Sequence, residues 1–258
     1  MYNTILFEKK SRKAYITLNR PETYNALSRE MLAELSRAVQ EGGEEEKVGV
    51  FPRRGEKEKP FSPGPDRKEG LPDTRLGNVL KTTYNPLIMG LRGLKKPVIC
   101  RMNGLAAGAG MSLALACDVI IAAEEAYFTE LFVGIGLMPD AGSMFFLPRL
   151  IGPLKAFELC STGRKVYMGE AVSIGLANKA VPKDQLDTEV EALADLYAAA
   201  ATQSIGIMKQ VLNQSFNKDL EEVLNLEAEG QTTCGQTEDF AEGVMAFLSK
   251  RLPVFKGK

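Results

Sequence analysis

Hydrophobic positions change period along this chain. In "AYITLNRPETYNAL" the alternation of Ala14, Ile16 and Leu18 predicts a strand that breaks at Asn19, Arg20 and Pro21, and Ser28 is placed to cap a helix to about Val39. Val48 to Phe51 is a short apolar piece between charge runs, a modest strand ended by Pro52. From Arg75 the spacing of Leu76, Val79, Leu80, Leu87, Ile88 and Leu91 predicts a helix interrupted at Pro86 and stopped at Gly93 and "KKP". Val98 to Met102 reads as a buried strand. A small-residue turn, a helix from Met111 to Cys117 and a strand from Val119 to Ala122 follow. The order strand, turn, helix, strand therefore occurs twice.

After Arg149 the pattern turns helical. "GPLKAFELCSTG" ends at Gly163 and "MGEAVSIGL" at Gly175, while residues 186 to 215 and 219 to 251 carry amphipathic periodicity with many charges. Such helices suit a periphery or a subunit contact. No low-complexity linker separates them, so only a soft boundary falls near Ala200. At 258 residues the chain is long enough for one large domain, or one domain with an appended element, around a substantial core.

Charge changes the picture by exclusion. With 32 basic against 33 acidic residues, nothing favours nucleic acid or an anionic membrane, and an anionic ligand needs a local cluster. Cys100, Cys117, Cys160 and Cys234 are scattered without a CxxC pair, and the N-terminus lacks a signal-peptide core, which together predict reduced thiols in the cytoplasm. The apolar stretch 104 to 123 is rich in Gly and Ala and contains Asp118, which argues against a membrane span. There is no histidine, so a Ser-His-Asp triad, a Cys-His pair, an HExxH zinc site and a histidine base are all excluded. Chemistry falls to carboxylates, backbone amides, or Lys, Tyr, Cys and Ser.

Three stretches are candidates for it. "GLAAGAG", Gly104 to Gly110, precedes a helix; its glycines serve either close helix-strand packing or an oxygen-binding row of amides. "FSPGPDRKE", Phe61 to Glu69, is either an exposed turn or a second ligand-facing one. In "GIGLMPDAGSMFFLPRL", Asp140 is placed to form a turn or cap a helix, yet it is set among apolar residues. Burial would raise its pKa and make it a proton carrier near neutral pH.

In this order these pieces resemble the enoyl-CoA hydratase/isomerase (crotonase) superfamily. "LNRPETYNAL" resembles its first motif, "FSPGPDRKE" and "NGLAAGAGMSLALACD" its two oxyanion turns, "GRKVYMGEAVSIGLANKAVP" its downstream helix pair, and "EGVMAFLSKRLPVF" its tail. The resemblance implies an α/β fold, a ClpP-like spiral of strand-strand-helix units over residues 1–200, followed by a helical oligomerisation region over 201–258. It implies an acyl-CoA ligand, a homotrimer or dimer of trimers, and no cofactor or metal beyond the thioester substrate itself. Two backbone amides would hold the thioester oxygen as an enolate forms, which is charge stabilisation by preorganised donors.

The carboxylates divide the family. Hydratases carry two glutamates at positions that align with Ser112 and Phe132 here, and Glu130, two residues earlier, is the nearest acid to the second. An isomerase needs a single base, and Asp140 stands where isomerases of the family often place one. "GLMPDAGSMFFLPRL" and "YNPLIMGLRGLKKPV" look most like the 1,2-epoxyphenylacetyl-CoA isomerase branch, which also shifts enoyl-CoA double bonds.

The resemblance therefore implies an isomerase with Asp140 as acid/base, Ala109 and Gly110 at the oxyanion, and Phe132 and Leu137 lining the acyl pocket. A hydratase and a catalytically silent acyl-CoA binder are the alternatives. Arg20, Asn25, Ala26 and Leu27 would neighbour the CoA phosphates and adenine. The turn Ser62, Pro63, Gly64, Pro65, Asp66 would follow, with Arg67 and Lys68 as charge partners, and Lys250, Arg251 and Phe255 are weaker candidates. One departure matters: the family's first donor precedes the glycine, and here that residue is Pro63, which has no N–H. Ala109 would then be the lone donor unless Gly64 shifted to supply a second.

Overall fold

The computed structural model describes residues 2–45, 48–51, 60–66 and 75–258. Its main sheet has six strands in the order β1 (Ile5–Lys10), β2 (Lys13–Leu18), β3 (Val48–Phe51), β4 (Val98–Met102), β6 (Val119–Ala123) and β9 (Lys179–Val181). Only the β1–β2 hairpin is antiparallel; the other pairs are parallel and so need crossovers. A smaller sheet of β5 (Ala106–Ala107), β7 (Tyr127–Thr129) and β8 (Val166–Tyr167) stands beside it.

The period-2 alternation divides the strand residues between two cores. Ile16, Leu18, Val98, Cys100, Met102, Ile120 and Ala122 face a cluster shared with α1 (Arg29–Glu45), α3 (Asn85–Gly93) and α4 (Ala109–Leu115). Tyr15, Ile99, Ile121 and Ala123 face Leu186, Val190, Ala194 and Ala198 of α8 (Leu186–Ala199) on the other side. β2, β4 and β6 are buried on both faces, as strands with helical cover on each side must be. The second face also holds two cations. Lys13 reaches Glu191 at 2.9 Å and Asp195 at 2.6 Å, and Arg101 reaches Asp187 at 2.6 Å.

Several elements depart from the sequence expectations. Ser28 Oγ does accept the Met31 N–H at 3.1 Å, but the helix it caps runs past Val39 to Glu45. The helix from Leu76 does not break at Pro86. It slips earlier, through a π-helical turn, Leu80–Tyr84, in which the Asn85 N–H reaches back to the Leu80 carbonyl. Pro86 is the second residue of α3, directly after that turn.

Helix α4 begins at Ala109 rather than Met111, and α5 (Ser143–Ile151) occupies the apolar run around Pro148 that carried no helical signal. Helices α6 (Pro153–Thr162) and α7 (Met168–Ser173) end at left-handed glycines, Gly163 directly and Gly175 two residues on. Each long C-terminal segment is two helices. Extended backbone at Ala200 separates α8 from α9 (Thr202–Ser215). Thr237 Oγ1, which accepts the Phe240 N–H at 3.0 Å, starts α11 (Glu238–Leu248) after α10 (Leu220–Gly235). Among the described residues no helix is long and apolar enough to cross a membrane, and residues 104 to 123 are divided between β5, α4 and β6.

The tail is fixed to the core at α9. Lys209 Nζ is buried and donates to the Leu91 and Lys96 carbonyls and to Asp118 Oδ2 at 2.7 Å. Arg92 holds the other oxygen of Asp118 at 2.9 Å.

Candidate active site

The second glycine turn is built for close approach. Gly108 is the N-cap of α4 at φ 50°, a conformation that favours glycine, and a side chain there would meet the Phe132 ring at 3.3 Å. A Cβ on Gly110 would stand 2.6 Å from the Ser62 carbonyl oxygen. Ala109 and Gly110 therefore present the first N–H groups of α4, which have no intrahelical acceptor, beside the backbone of the first turn.

That first turn is no solvated excursion. Phe61, Ser62 and Gly64 are buried, the Ser62 N–H donates to the Leu105 carbonyl, and the Ala107 N–H donates to the Ser62 carbonyl at 2.9 Å. Gly64, at φ 96°, lies against α4, where an added Cβ would be 3.7 Å from the Ala109 nitrogen. Pro63 and Pro65 are exposed. The Gly64 N–H, the possible replacement for the donor that Pro63 lacks, is instead turned onto Ser62 Oγ at 3.2 Å. In this conformation the Gly64 hydrogen serves the turn itself, and supplying a second oxyanion bond would require the shift named above.

The first motif is stitched to this turn. Leu27 N–H donates to the Gly64 carbonyl at 2.8 Å, Asp66 N–H to the Leu27 carbonyl at 3.0 Å, and Ser62 Oγ to the Asn25 carbonyl at 2.9 Å. Asn25, itself at φ 62°, accepts the Arg20 N–H and donates to the Pro60 carbonyl. Arg20 spends its guanidinium on the Ala26 carbonyl and on Asp66, each at 2.8 Å. In this structure Arg20 braces the turn. Arg67 and Lys68 lie outside the described residues. Arg251 is paired with Glu242 within the tail, and Phe255 lies against Gly243 there, so neither is brought to the two turns.

Asp140 is half-buried, and its Oδ1 is sealed in without a hydrogen-bond partner. Burial lifts its carboxyl to about 6. Its backbone is tied to α4: Ser112, on that helix, donates its hydroxyl to the Asp140 carbonyl at 2.9 Å, and the Ser143 N–H donates to the same oxygen at 3.0 Å. Ala141 at φ 47° and Gly142 at φ 95° then reverse the chain into α5, where Asp140 is not the side-chain cap.

A second acid lies next to it. Glu130, just past β7, is 1 % exposed and shares a 2.6 Å hydrogen bond between its Oε1 and Ser143 Oγ, while its Oε2 has no partner. Ser143 Oγ and Ser112 Oγ are 2.8 Å apart. Burial foremost, and the neighbouring Asp140 charge, push Glu130 up to about 8 against the pull of the Ser143 hydrogen bond. The pair therefore ionises in order, Asp140 first. The sequence offered Glu130 only as the acid nearest a vacant family position, and gave no sign of the two serines. Its one usable signal was a carboxylate flanked by Phe128, Leu131 and Phe132.

Phe132 is buried over Gly108, at the turn where α4 starts. Leu137, whose N–H donates to the Phe132 carbonyl, is 41 % exposed.

With this geometry in hand, the relatives are informative. Residues 8–258 match the enoyl-CoA hydratase/isomerase family. A protein of Rhodobacter capsulatus named "Probable enoyl-CoA hydratase" is 38% identical over 100% of this chain and 99% of its own. The 1,2-epoxyphenylacetyl-CoA isomerase of Escherichia coli K12 is 36% identical over 94% of each. The crystal structure of enoyl-CoA hydratase from Bacillus anthracis superposes with a TM-score of 0.93 at 31% identity, covering 99% of this chain and 100% of that one. These likenesses bear out the crotonase fold read from the sequence, and the chain belongs to the enoyl-CoA hydratase/isomerase family.

Proposed function

We propose that this member of the family is an acyl-CoA isomerase that moves a double bond, or rearranges an epoxyphenylacetyl ring, through a thioester enolate. One observation carries the reading: Asp140, a desolvated carboxyl, is fastened through its backbone carbonyl by Ser112 to the helix whose first N–H groups are those of Ala109 and Gly110. Asp140 as carboxylate takes a proton from the carbon next to the thioester carbonyl or its vinylogous position. The electron pair moves to the carbonyl oxygen, which the Ala109 N–H stabilises. The same carboxyl then returns the proton two carbons away, so the net reaction consumes nothing and needs no cofactor.

Hydratase is the second reading. Names of hydratases are more numerous among the relatives. Incubation of the purified protein with a 3-enoyl-CoA, a 2-enoyl-CoA and an epoxyphenylacetyl-CoA separates the two. Double-bond migration or ring expansion is expected, falling by roughly 10²- to 10⁴-fold in Asp140→Asn. Hydration alone, or unchanged isomerisation in that variant, overturns the reading.

The assembly proposed is a homotrimer or dimer of trimers. Helices α9, α10 and α11 border a groove of about 930 Å³, with Met208, Leu212, Leu224, Phe240 and Phe247 exposed along it, an apolar face of the kind that subunits cover. Light scattering on the eluting protein measures this directly. The four free cysteines suit the reducing cytoplasm.

A further inference from the structure

Glu130 is used by none of the steps above, yet it is the most deeply buried acid near the site. Both its oxygens lie inside the protein, so it is not placed to touch substrate. What it touches is Ser143, at 2.6 Å, and from Ser143 the contacts run to Ser112 at 2.8 Å and on to the Asp140 carbonyl at 2.9 Å. Each hydroxyl has one hydrogen to give, and that of Ser112 has the Asp140 carbonyl, Ser143 Oγ and, at 3.2 Å, the Gly108 carbonyl of its own helix to choose from, so the chain can be polarised toward Asp140 or toward Glu130. The titratable groups facing Glu130 are Asp140, on the loop before α5, and Cys160, on α6.

We propose that Glu130 is a positioning residue for Asp140, setting by its own protonation the direction of the Ser143–Ser112 hydroxyl chain and so whether the Asp140 backbone is held to α4. This rests on the isomerase reading given above. With Glu130 neutral, its hydroxyl donates to Ser143, Ser143 to Ser112, and Ser112 to the Asp140 carbonyl. The loop is then fastened ahead of Ala141, whose left-handed φ of 47° is costly for a residue with a Cβ.

Loss of the Glu130 proton reverses every link. The carboxylate draws the Ser143 hydrogen, Ser143 draws that of Ser112, and the Asp140 carbonyl keeps only the Ser143 N–H. A second buried negative charge then also opposes the enolate. The active form is thus the one with Asp140 ionised and Glu130 neutral, which the order of their ionisation allows near neutral pH.

The test is a set of pH–rate profiles for 3-enoyl-CoA isomerisation by the full-length protein. The wild type should lose kcat on the alkaline side around pH 8. Glu130→Gln, whose amide still engages Ser143 but cannot ionise, should lose that alkaline limb while its plateau stays within about tenfold of wild type. Glu130→Ala and Ser143→Ala should lower kcat by roughly tenfold to a hundredfold with KM within about twofold, the cost of a mislaid base. An alkaline limb that is absent in the wild type, or that persists unmoved in Glu130→Gln, overturns the proposal, as do wild-type rates in both alanine variants. If the alanine variants do not fold, the Glu130→Gln profile decides alone. Asp140→Asn separates the two failures: unchanged turnover there sinks the assignment of the base, whereas abolished turnover beside wild-type behaviour of the Glu130 variants sinks only this inference.

Discussion

Gly110 and Ser62 are packed so closely that a methyl group on the glycine would stand 2.6 Å from the Ser62 carbonyl oxygen. The obstacle is backbone, so it cannot swing aside as a side chain would. Gly110→Ala should destabilise the fold by roughly 1–3 kcal/mol, the cost of overpacking a filled site. It should also push the first turn off α4 and lower kcat. Denaturant unfolding beside the isomerase assay checks both, and a variant of wild-type stability would mean that the two turns do not meet as described.

Where the family resemblance places the first oxyanion donor, this chain has Pro63, which has no N–H. Pro63→Ala restores an N–H in the first turn beside Ala109, at an exposed position where a methyl side chain meets no obstacle of burial. Since one oxyanion donor is worth roughly 10²- to 10³-fold in rate, kcat should rise, by about tenfold or more. Steady-state kinetics on one enoyl-CoA would settle it; an unaltered kcat would mean that the restored N–H does not face the thioester.

The acid side of the rate profile belongs to Asp140. Burial raises its carboxyl to about 6, and only the carboxylate can take a proton, so kcat should climb through about pH 6 and level off above it. Asp140→Glu, which keeps the charge but moves it by one methylene, should retain the limb at reduced height. A profile flat from pH 5 to 7 would contradict the desolvated base.

Glu130 also leaves a thermodynamic mark. The folded protein holds its proton up to about 8, whereas the unfolded chain releases it near the ordinary value of 4.5. Between those pH values the unfolded state binds fewer protons, so rising pH erodes stability by up to about 1.4 kcal/mol per pH unit. Glu130→Gln escapes this loss. Its Tm should exceed that of wild type at pH 8 and converge with it near pH 4, as calorimetry would record.

Lys209 fastens the tail through three acceptors, Asp118 among them. Lys209→Ala strands those groups inside the protein and should cost about 3–5 kcal/mol. Limited proteolysis should then cut between α8 and α9 before it reaches the core. A variant cut no faster than wild type would show that the docking depends on other contacts.

Much of this was legible in advance, and the reasons differ by element. Val98 and Ile120 sit in strands whose two faces are both covered, so apolar runs gave them away, whereas Ile16 was read from alternation although its strand too is covered on both faces; α6 ended at Gly163 as its sequence implied. Strands β5 and β8 are two residues long, too short for any period to register. Helix α5 was hidden because Pro148 stands inside it and its apolar residues run nearly unbroken. In the candidate site, Ala109, Gly110 and Asp140 were singled out by the motifs that carry them. The Glu130–Ser143–Ser112 chain was not, because it joins residues 13 and 31 positions apart by side-chain bonds that leave no pattern in sequence.

Helix α8 carries Asp187, Glu191 and Asp195 at a spacing of one turn, each answering a cation planted in the sheet. A slide of one residue would swing these acids about 100° around the helix axis and leave Lys13 and Arg101 facing hydrocarbon. The apolar side of α8 alone would tolerate such a slip, since Leu, Val and Ala are nearly interchangeable as neighbours. The charges work as teeth on a key: they add little grip, but they admit one alignment of the crossover and penalise its near misses during folding.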